Sequence, residues 1–240
     1  MIKATKLIYD FDREYARFNT SHSKKIKLID KLAIINKAQT LFVEHYARLS
    51  EVDSKYRRLL SPMEEKNIEL KLVESGGEYS VYEKPHESVK TLRNLAIISK
   101  EECGNKHLDV TIIQTDDLNR ARNNPNWKSS FAWEQVLGDY GNKGLYVWHE
   151  GDFSIDKILS DYIRKPKEIH APSLLLPNKS YVDWNGVERT EDVDCEFDDN
   201  YVGDVIINLA VVIADSTVND TSDYQLKIKE ILETSRLATI

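Results

Sequence analysis

The clearest pattern along the chain is a helical repeat of large side chains between Ile26 and Leu49. These side chains recur at steps of four and three residues, which places them on one face of an α-helix. They are Leu28, Leu32, Ile35, Gln39, Phe42, Tyr46 and Leu49. At about 1.5 Å per residue, the helix would be roughly 36 Å long. It contains no glycine loop and no cluster of catalytic groups, so the pattern indicates a surface used in an assembly.

Shorter patterns flank this helix. The first twenty residues and the polar stretch 19–23 predict extended or loosely ordered chain, with Ser23 as the N-cap of the long helix. A second helix is predicted over Lys55 to Leu60. Ser61 and Pro62 end it, because proline cannot continue a helix.

The middle of the chain has the period of β-strands. Ile68, Leu70 and Leu72 alternate with charged residues, as in a half-buried strand, and Gly76 and Gly77 supply the turn of a hairpin. Asn185 and Gly186, between apolar residues, predict another hairpin over 181–187. Further strands are predicted over 92–99, 108–114 and 145–149, and a helical turn over 116–122.

One segment of the middle is ambiguous. Ile155, Ile158, Leu159, Tyr162 and Ile163 fit helical spacing better than strand alternation. The local pattern alone therefore favours a helix that ends before the next proline.

The end of the chain returns to a helical period. Apolar residues from Val202 to Ile213 form a broad face, and a last helix follows Thr221 and Ser222. The sequence therefore predicts an α+β fold, in which N- and C-terminal helices form a helical bundle with an inserted antiparallel β domain. The predicted parts are residues 1–66, 67–197 and 198–240.

Composition agrees with a globular chain and gives no sign of a membrane protein. Of 240 residues, 41% are hydrophobic and 30% charged, and no apolar run approaches the length of a membrane span. Met1 to Ala16 mix charged and apolar residues and do not resemble a secretory signal. With only two cysteines, Cys103 and Cys195, we expect unpaired thiols in an intracellular or virion setting.

Charge is distributed unevenly. Residues 1–69 hold 14 Lys/Arg and 10 Asp/Glu, a net charge of +4, whereas residues 186–240 hold 4 and 13, a net charge of −9. This argues against a dedicated nucleic-acid binder, which would carry a concentrated basic patch. It suits a chain whose basic end meets the acidic end of a neighbour, although both ends could simply be solvated.

Candidate chemical sites are weak. Cys103 and His107, with Cys195 or His149, offer one loose pair of zinc ligands where a structural site needs two tight pairs. The acidic run 192–199 lacks the spacing of a calcium loop. A hydrolase would have to use Asp152 and Asp156 with His149 or His170. We therefore predict no metal, no cofactor and no enzymatic activity.

Four tryptophans lie in the predicted β-rich middle: Trp127, Trp133, Trp148 and Trp184. Such rings can stack on nucleic-acid bases, but the lysines and arginines that accompany base stacking are scarce around them. They are expected to fill a core or to anchor a protein interface.

The order of several short segments resembles the ring or adaptor proteins beneath the portal of tailed phages, especially those of crAss-like podoviruses. The matching segments are Lys31–Gln39 with Phe42 and Val43, Tyr82–Pro85, Thr115–Leu118, Asp161–Pro166, and Cys195 with the helix around Val205–Ala210. They spread over most of residues 24–236. The resemblance implies that Tyr162 to Pro166 close a strand, and we predict a strand there against the local spacing.

The same resemblance implies a structural subunit of a homo-oligomeric ring, a dodecamer, in the head-to-tail connector of the virion, made in the host cytoplasm. Expected partners are further copies, the portal protein and neighbouring ring or tail proteins, with no membrane. DNA would pass through the channel without sequence-specific binding. Candidate interface residues are Leu28, Leu32, Ile35, Phe42, Tyr46, Trp127, Trp133, Trp148 and Trp184. The alternatives are a monomeric protein-binding module and a hydrolase.

Overall fold

The protein has an α+β fold with two compact units. The structure is a computed structural model and describes residues 1–18, 26–85, 87–101, 103–175, 180–219 and 224–238. Unit 1 consists of Met1–Met63 with Lys165–Ile240, and unit 2 is Glu64–Arg164. The division on the C-terminal side thus falls after Arg164, whereas the sequence prediction placed residues 165–197 with the strands.

Unit 1 contains five of the six α-helices found in the described ranges. They are α1 (Ala4–Phe18), α2 (Leu28–Leu49), α3 (Ser54–Leu59), α5 (Asn200–Asn219) and α6 (Tyr224–Ala238). The predictions for α2, α3 and the two C-terminal helices are confirmed; Ser23, Thr221 and Ser222 lie outside the described residues. Helix α5 contacts α1, α2 and α6. Its wide apolar face is explained by these three neighbours, each of which covers part of it.

Helix α1 corrects the prediction of extended chain over the first eighteen residues. Leu7, Phe11 and Tyr15 recur every four residues, and all three are buried. The rings of Phe11 and Tyr15 stack with centroids 5.7 Å apart. Burial of this stripe fixes the helix, because each fully buried large apolar side chain contributes about 1.5–3 kcal/mol.

An extended segment, residues 165–171, lies along α2 in unit 1. The buried side chain of Asn36 donates to the carbonyl oxygen of Ile169 over 3.1 Å and accepts from its N–H over 2.8 Å. Gln39 donates to the carbonyl oxygen of Lys167 over 3.0 Å. The two amides bond to the segment much as a neighbouring strand would, which explains why this segment belongs with the helices.

Unit 2 is built on an eight-stranded sheet in the order β1-β8-β4-β5-β6-β7-β3-β2. Its strands are β1 (Glu64–Glu69), β2 (Leu72–Ser75), β3 (Tyr79–Tyr82), β4 (Ser88–Lys100), β5 (Gly104–Ile112), β6 (Val136–Gly141), β7 (Gly144–Trp148) and β8 (Ser154–Arg164). Neighbouring strands are antiparallel except β5 and β6, which are parallel. The strand predicted before Pro166 is confirmed as β8, and the helical turn as α4 (Thr115–Asn123).

The sheet curls strongly. β1 and β2 stand at opposite ends of the strand order, yet only Leu70 and Lys71 separate them in the chain. Leu70 donates to the carbonyl oxygen of Ile158 on β8, while Lys71 accepts from Glu83 just after β3. The two ends of the sheet are therefore joined by two residues. The side chains enclosed by the curl form the core of unit 2, including Tyr82, Ala96, Ile98, Val136, Leu145, Val147 and Ile158.

Gly144 begins β7 with φ at 142°, a conformation that other residues rarely adopt. A Cβ atom at this position would collide with the carbonyl oxygen of Tyr82 on β3. The close approach of these two strands therefore requires glycine.

Among the described helices, none is long and apolar enough to cross a membrane.

Candidate interaction surfaces

The candidate interface residues on α2 lie mainly inside unit 1. Leu32, Ile35, Phe42 and Tyr46 are fully buried, and Leu28 is partly buried. The Phe42 ring meets that of Phe197 edge-on at 5.5 Å. The partner of this apolar face is the chain itself, largely α5, so these four side chains are not available to another protein.

The four tryptophans have different surroundings. Trp127 is 61% exposed and Trp133 is 74% exposed, both in unit 2. Trp184 is 45% exposed in unit 1, whereas Trp148 is partly buried in β7. Three of the four rings are thus placed on the surface.

Trp127 and Trp133 lie on residues 124–135, which we call the tryptophan loop, between α4 and β6. Polar contacts hold its backbone. The hydroxyl of Ser129 accepts from the N–H of Leu137 over 3.0 Å. Ser130 and Gln135 exchange two backbone hydrogen bonds, at 2.9 and 3.1 Å. The loop is therefore closed on itself, with both indoles outside.

The sheet braces the same loop at Phe131. The carboxylate of Asp152 accepts from the N–H of Phe131 over 2.8 Å. The ammonium group of Lys106 donates to the carbonyl oxygen of Phe131 and lies 4.6 Å from its ring centroid. A hydrogen bond from Lys100 lowers the pKa of Asp152 and so keeps this acceptor charged. Two large exposed rings on a braced backbone have the properties of interface anchors, since little freedom is lost on binding.

Trp148 has an internal role. The guanidinium carbon of Arg122, on α4, lies 3.9 Å from the centroid of its ring. Arg122 also pairs with Glu150 at 2.6 Å and with Glu78 at 2.7 Å. The hydrogen bond to Glu150 raises the pKa of Arg122. Trp148 thus holds α4 against the sheet.

The predicted Asn-Gly hairpin is confirmed in unit 1, with strands β9 (Tyr181–Val182) and β10 (Glu188–Arg189). The buried carboxylate of Asp183 fixes its turn by accepting from the N–H groups of Asn185 and Val187, both over 2.9 Å. Arg189 donates to the other oxygen of Asp183 over 2.8 Å. The turn therefore presents Trp184 and its apolar neighbours to solvent.

A group of possible metal ligands lies behind this hairpin. Donor atoms of Glu168, His170 and Asp183 are within 4.8 Å of one another. Arg189 is already placed there, 2.8 Å from Asp183 and 3.5 Å from Glu168. Its guanidinium supplies the positive charge that a metal would bring, so we describe the group as an ion-pair cluster. Burial and the charge of Arg189 lower the pKa of His170.

The candidate zinc ligands behave as ordinary thiols. Cys103 is exposed and Cys195 is buried, and neither forms a disulfide. The thiol of Cys195 donates to Gln39 over 3.5 Å, and burial raises its pKa to about 11. A thiol that stays protonated at neutral pH is a poor metal ligand.

The candidate hydrolase carboxylates have separate structural partners. Asp152 bonds to the tryptophan loop and to Lys100, whereas Asp156 accepts from the hydroxyl of Ser99 over 2.7 Å. His149 accepts through Nδ1 from the N–H of Gly151, and burial lowers its pKa. Among the described residues, neither carboxylate is hydrogen-bonded to His149, so the structure shows no such pair joined as a nucleophile and base would be.

The acidic run before α5 also has local partners. Asp192 accepts from the N–H of Ser173 over 3.0 Å, and Asp194 from that of Ala4 over 2.9 Å. These carboxylates satisfy backbone donors rather than surrounding one ion.

The sequence indicated the tryptophans and the Asn-Gly turn, but not the bracing of residues 124–135.

No known protein-family model matches the chain, and no curated protein matches it.

Proposed function

We propose that this chain is a structural, non-enzymatic subunit of a homo-oligomeric ring in the head-to-tail connector of a tailed phage. The ring docks on the portal or an adjacent ring and surrounds the DNA exit channel. The observation that carries this proposal is the tryptophan loop, where Trp127 and Trp133 are exposed on a braced backbone. The order of the sequence segments that resemble connector ring proteins supplies the location.

Unit 1 supports the helical half of the proposal. Helices from both chain ends contact α5, and we propose that they form the bundle around the channel. Unit 2, inserted between them in the sequence, carries the tryptophan loop and contacts tail or portal proteins. Within a ring, each copy needs two complementary patches because neighbouring copies are related head to tail.

The test is to image intact particles and to measure mass in solution. Cryo-electron microscopy of particles that contain this chain is expected to show several copies as a ring at the head-to-tail junction. The variant Trp127→Ala/Trp133→Ala should keep its melting temperature, since both rings are exposed. We expect it to be incorporated into particles at about one tenth of the wild-type level or less, because anchor residues of this kind contribute about 2 kcal/mol or more each.

A matched control is Tyr9→Ala/Leu226→Ala, which removes two side chains that are each 67% exposed on unit 1. This control should be incorporated normally. A species that remains at 27.7 kDa and never joins particles would favour the monomeric binding module. A measurable turnover that is lost in Asp152→Ala/Asp156→Ala, with particle assembly intact, would favour the hydrolase.

A further inference from the structure

One exposed patch of unit 1 has a net positive charge and contains an exposed apolar residue, Val52, which Glu51 and Asp53 flank in the chain. This patch, which we call the basic corner, consists of Arg48, Val52, Lys55 and Arg58, at the end of α2 and on α3. Val52 is 77% exposed. Among the residues that the structure describes, no carboxylate pairs with the three cationic side chains. Their charge is therefore available to another surface.

A second patch of unit 1 is acidic around an apolar centre. This acidic hairpin consists of Val182, Trp184, Val187, Glu188 and Glu191, and its three apolar residues are 58%, 45% and 46% exposed. Glu188 lies directly opposite Val182 across the hairpin, so their side chains share a face. Within the described parts of the chain, Glu188 and Glu191 have no cationic partner.

Arg48 of the basic corner lies too far along α2 from Trp184 to neutralise the acidic hairpin of its own chain. Trp184 lines a groove of about 280 Å³ together with Lys37 of α2. Arg48 lies about 16 Å further along the same helix, at 1.5 Å per residue. That separation is roughly twice the screening length of about 8 Å at physiological ionic strength.

We propose that the basic corner of one copy docks on the acidic hairpin of the next copy, forming the repeated contact of the ring. This inference rests on the proposed function, since it names the surface through which copies associate. Val52 would pack among the apolar residues of the hairpin, while the surrounding charges set the orientation and steer encounter. Because each copy carries both patches, the contact is heterologous, and it closes into a ring when the rotation permits.

The test uses charge reversal on each side. Variant A is Arg48→Glu/Lys55→Glu/Arg58→Glu, and variant B is Glu188→Lys/Glu191→Lys. Each variant alone puts like charges together at every contact. We expect each to need at least about 100-fold higher concentration for half-assembly than the wild type, since like charges across an interface cost several kcal/mol. Mass photometry and sedimentation velocity measure the assembly.

Mixing the variants gives the diagnostic result. In an alternating ring, the acidic hairpin of A meets the basic corner of B, and the basic hairpin of B meets the acidic corner of A. An equimolar mixture should therefore recover assembly to within about tenfold of the wild type, and salt should weaken it as it weakens the wild type. A matched control, Lys71→Glu/Arg120→Glu in unit 2, also reverses exposed basic residues and should assemble normally.

The outcomes separate this inference from the proposed function. If the wild type assembles and variants A and B assemble equally well, the ring stands and this contact is wrong. If both variants fail, remain folded by circular dichroism and are not recovered by mixing, the pairing of these two patches is also wrong. If the wild type stays monomeric at every concentration and is absent from particle rings, the proposed function fails and the inference fails with it.

Discussion

At the scale of single residues, the buried amide of Asn36 contributes more to the stability of unit 1 than its size suggests. It satisfies both backbone groups of Ile169. Asn36→Ala leaves a buried N–H and a buried C=O without these partners, at about 1–3 kcal/mol each. We expect the free energy of unfolding to fall by about 2–4 kcal/mol, measured by urea denaturation.

Two controls separate this effect from general damage to α2. Lys37→Ala alters the next residue, which is exposed and does not supply the amide hydrogen bonds to the 165–171 segment, and it should change stability by less than about 0.5 kcal/mol. Asn36→Asp keeps the acceptor for the N–H of Ile169 but places a buried carboxylate oxygen against the carbonyl oxygen of Ile169, so at neutral pH it should be no more stable than Asn36→Ala. Equal stability of Asn36→Ala and Lys37→Ala would show that the amide bonds contribute little.

His170 should make stability depend on pH. Its pKa is lowered from an ordinary value of 6.5, first by burial and then by Arg189. Below pH 6.5 the unfolded chain therefore binds more protons than the folded chain. Stability is complete above that pH and falls as pH decreases toward the folded pKa, by at most about 1.4 kcal/mol per pH unit. Urea denaturation between pH 7.5 and 5.0 measures the slope.

Replacement of the imidazole tests the assignment. His170→Gln should reduce the slope below pH 6.5, whereas His107→Gln, at an exposed position, should leave it unchanged. Some slope should remain in both variants, because burial lowers the pKa of His149 as well. An unchanged slope in His170→Gln would mean that this imidazole titrates normally in the folded protein.

At the scale of elements, α4 is held to the sheet by one arginine more than by its own apolar face. Only Leu118 and Ala121 of the helix are buried, while Arg122 contacts the Trp148 ring and two glutamates. Arg122→Ala should reduce stability by about 1–2 kcal/mol, allowing for partial exposure of the pairs. Amide hydrogen exchange should become faster in α4 before it changes in β4 or β8.

Arg120 is the matched position, on the same helix but exposed and with no ion-pair partner among the described residues. Arg120→Ala should leave exchange in α4 close to wild type, and Arg122→Lys should be intermediate because lysine lacks the planar guanidinium. If Arg120→Ala and Arg122→Ala accelerate exchange equally, helix propensity rather than the contacts of Arg122 holds α4 in place.

The elements that periodicity predicted are those whose buried side chains follow one repeat. Helices α2 and α5 were predictable because their faces pack along their length, and the turn of the β2–β3 hairpin because glycines mark it. The single strand predicted through Ile68, Leu70 and Leu72 was wrong, since that run is divided between the end of β1 and the start of β2. Helix α1 was missed although Leu7, Phe11 and Tyr15 have helical spacing, because the first twenty residues were treated together with the polar stretch 19–23 as extended chain. The pattern over β8 favoured a helix because both faces of this strand carry apolar residues. Only its pairing with β1 and β4 fixes it as a strand.

Contacts between distant segments could not be predicted from the sequence. The braces of the tryptophan loop come from Lys106 on β5 and Asp152 in the turn before β8, and no local pattern links them to Trp127 or Trp133. Whether the apolar face of α2 lies in the core or at an interface also depends on which surface covers it. A periodic apolar stripe predicts burial, but it does not distinguish a second copy from α5 of the same chain.

At the scale of the whole molecule, the surfaces proposed for assembly differ in kind. The basic corner and acidic hairpin rely on complementary charge, which gives orientation and fast encounter. The tryptophan loop relies on large apolar rings, which give affinity with little dependence on salt. A subunit with both kinds could form a ring first and attach the ring to its neighbours by a separate contact.

This division makes a prediction about DNA. A ring that passes DNA should not hold phosphates, and the chain has a net charge of −7. We expect the assembled wild type to bind a 30-base-pair duplex more weakly than about 10⁻⁵ M at physiological salt, with little change in affinity as salt is varied, because few counterions are released. Fluorescence anisotropy over 50–300 mM salt measures both quantities.

A charge-altered ring provides the comparison. In the alternating assembly of variants A and B, the net charge of each A–B pair changes little, and acidic and basic groups still face each other at every contact. DNA binding should therefore remain weak. The control Lys71→Glu/Arg120→Glu should also remain weak, because it only removes positive charge. Micromolar or tighter binding by the wild type, with a steep loss of affinity as salt rises, would indicate a strongly basic lumen. That result would contradict a channel through which DNA slides, since each phosphate contact would have to break before the duplex could advance.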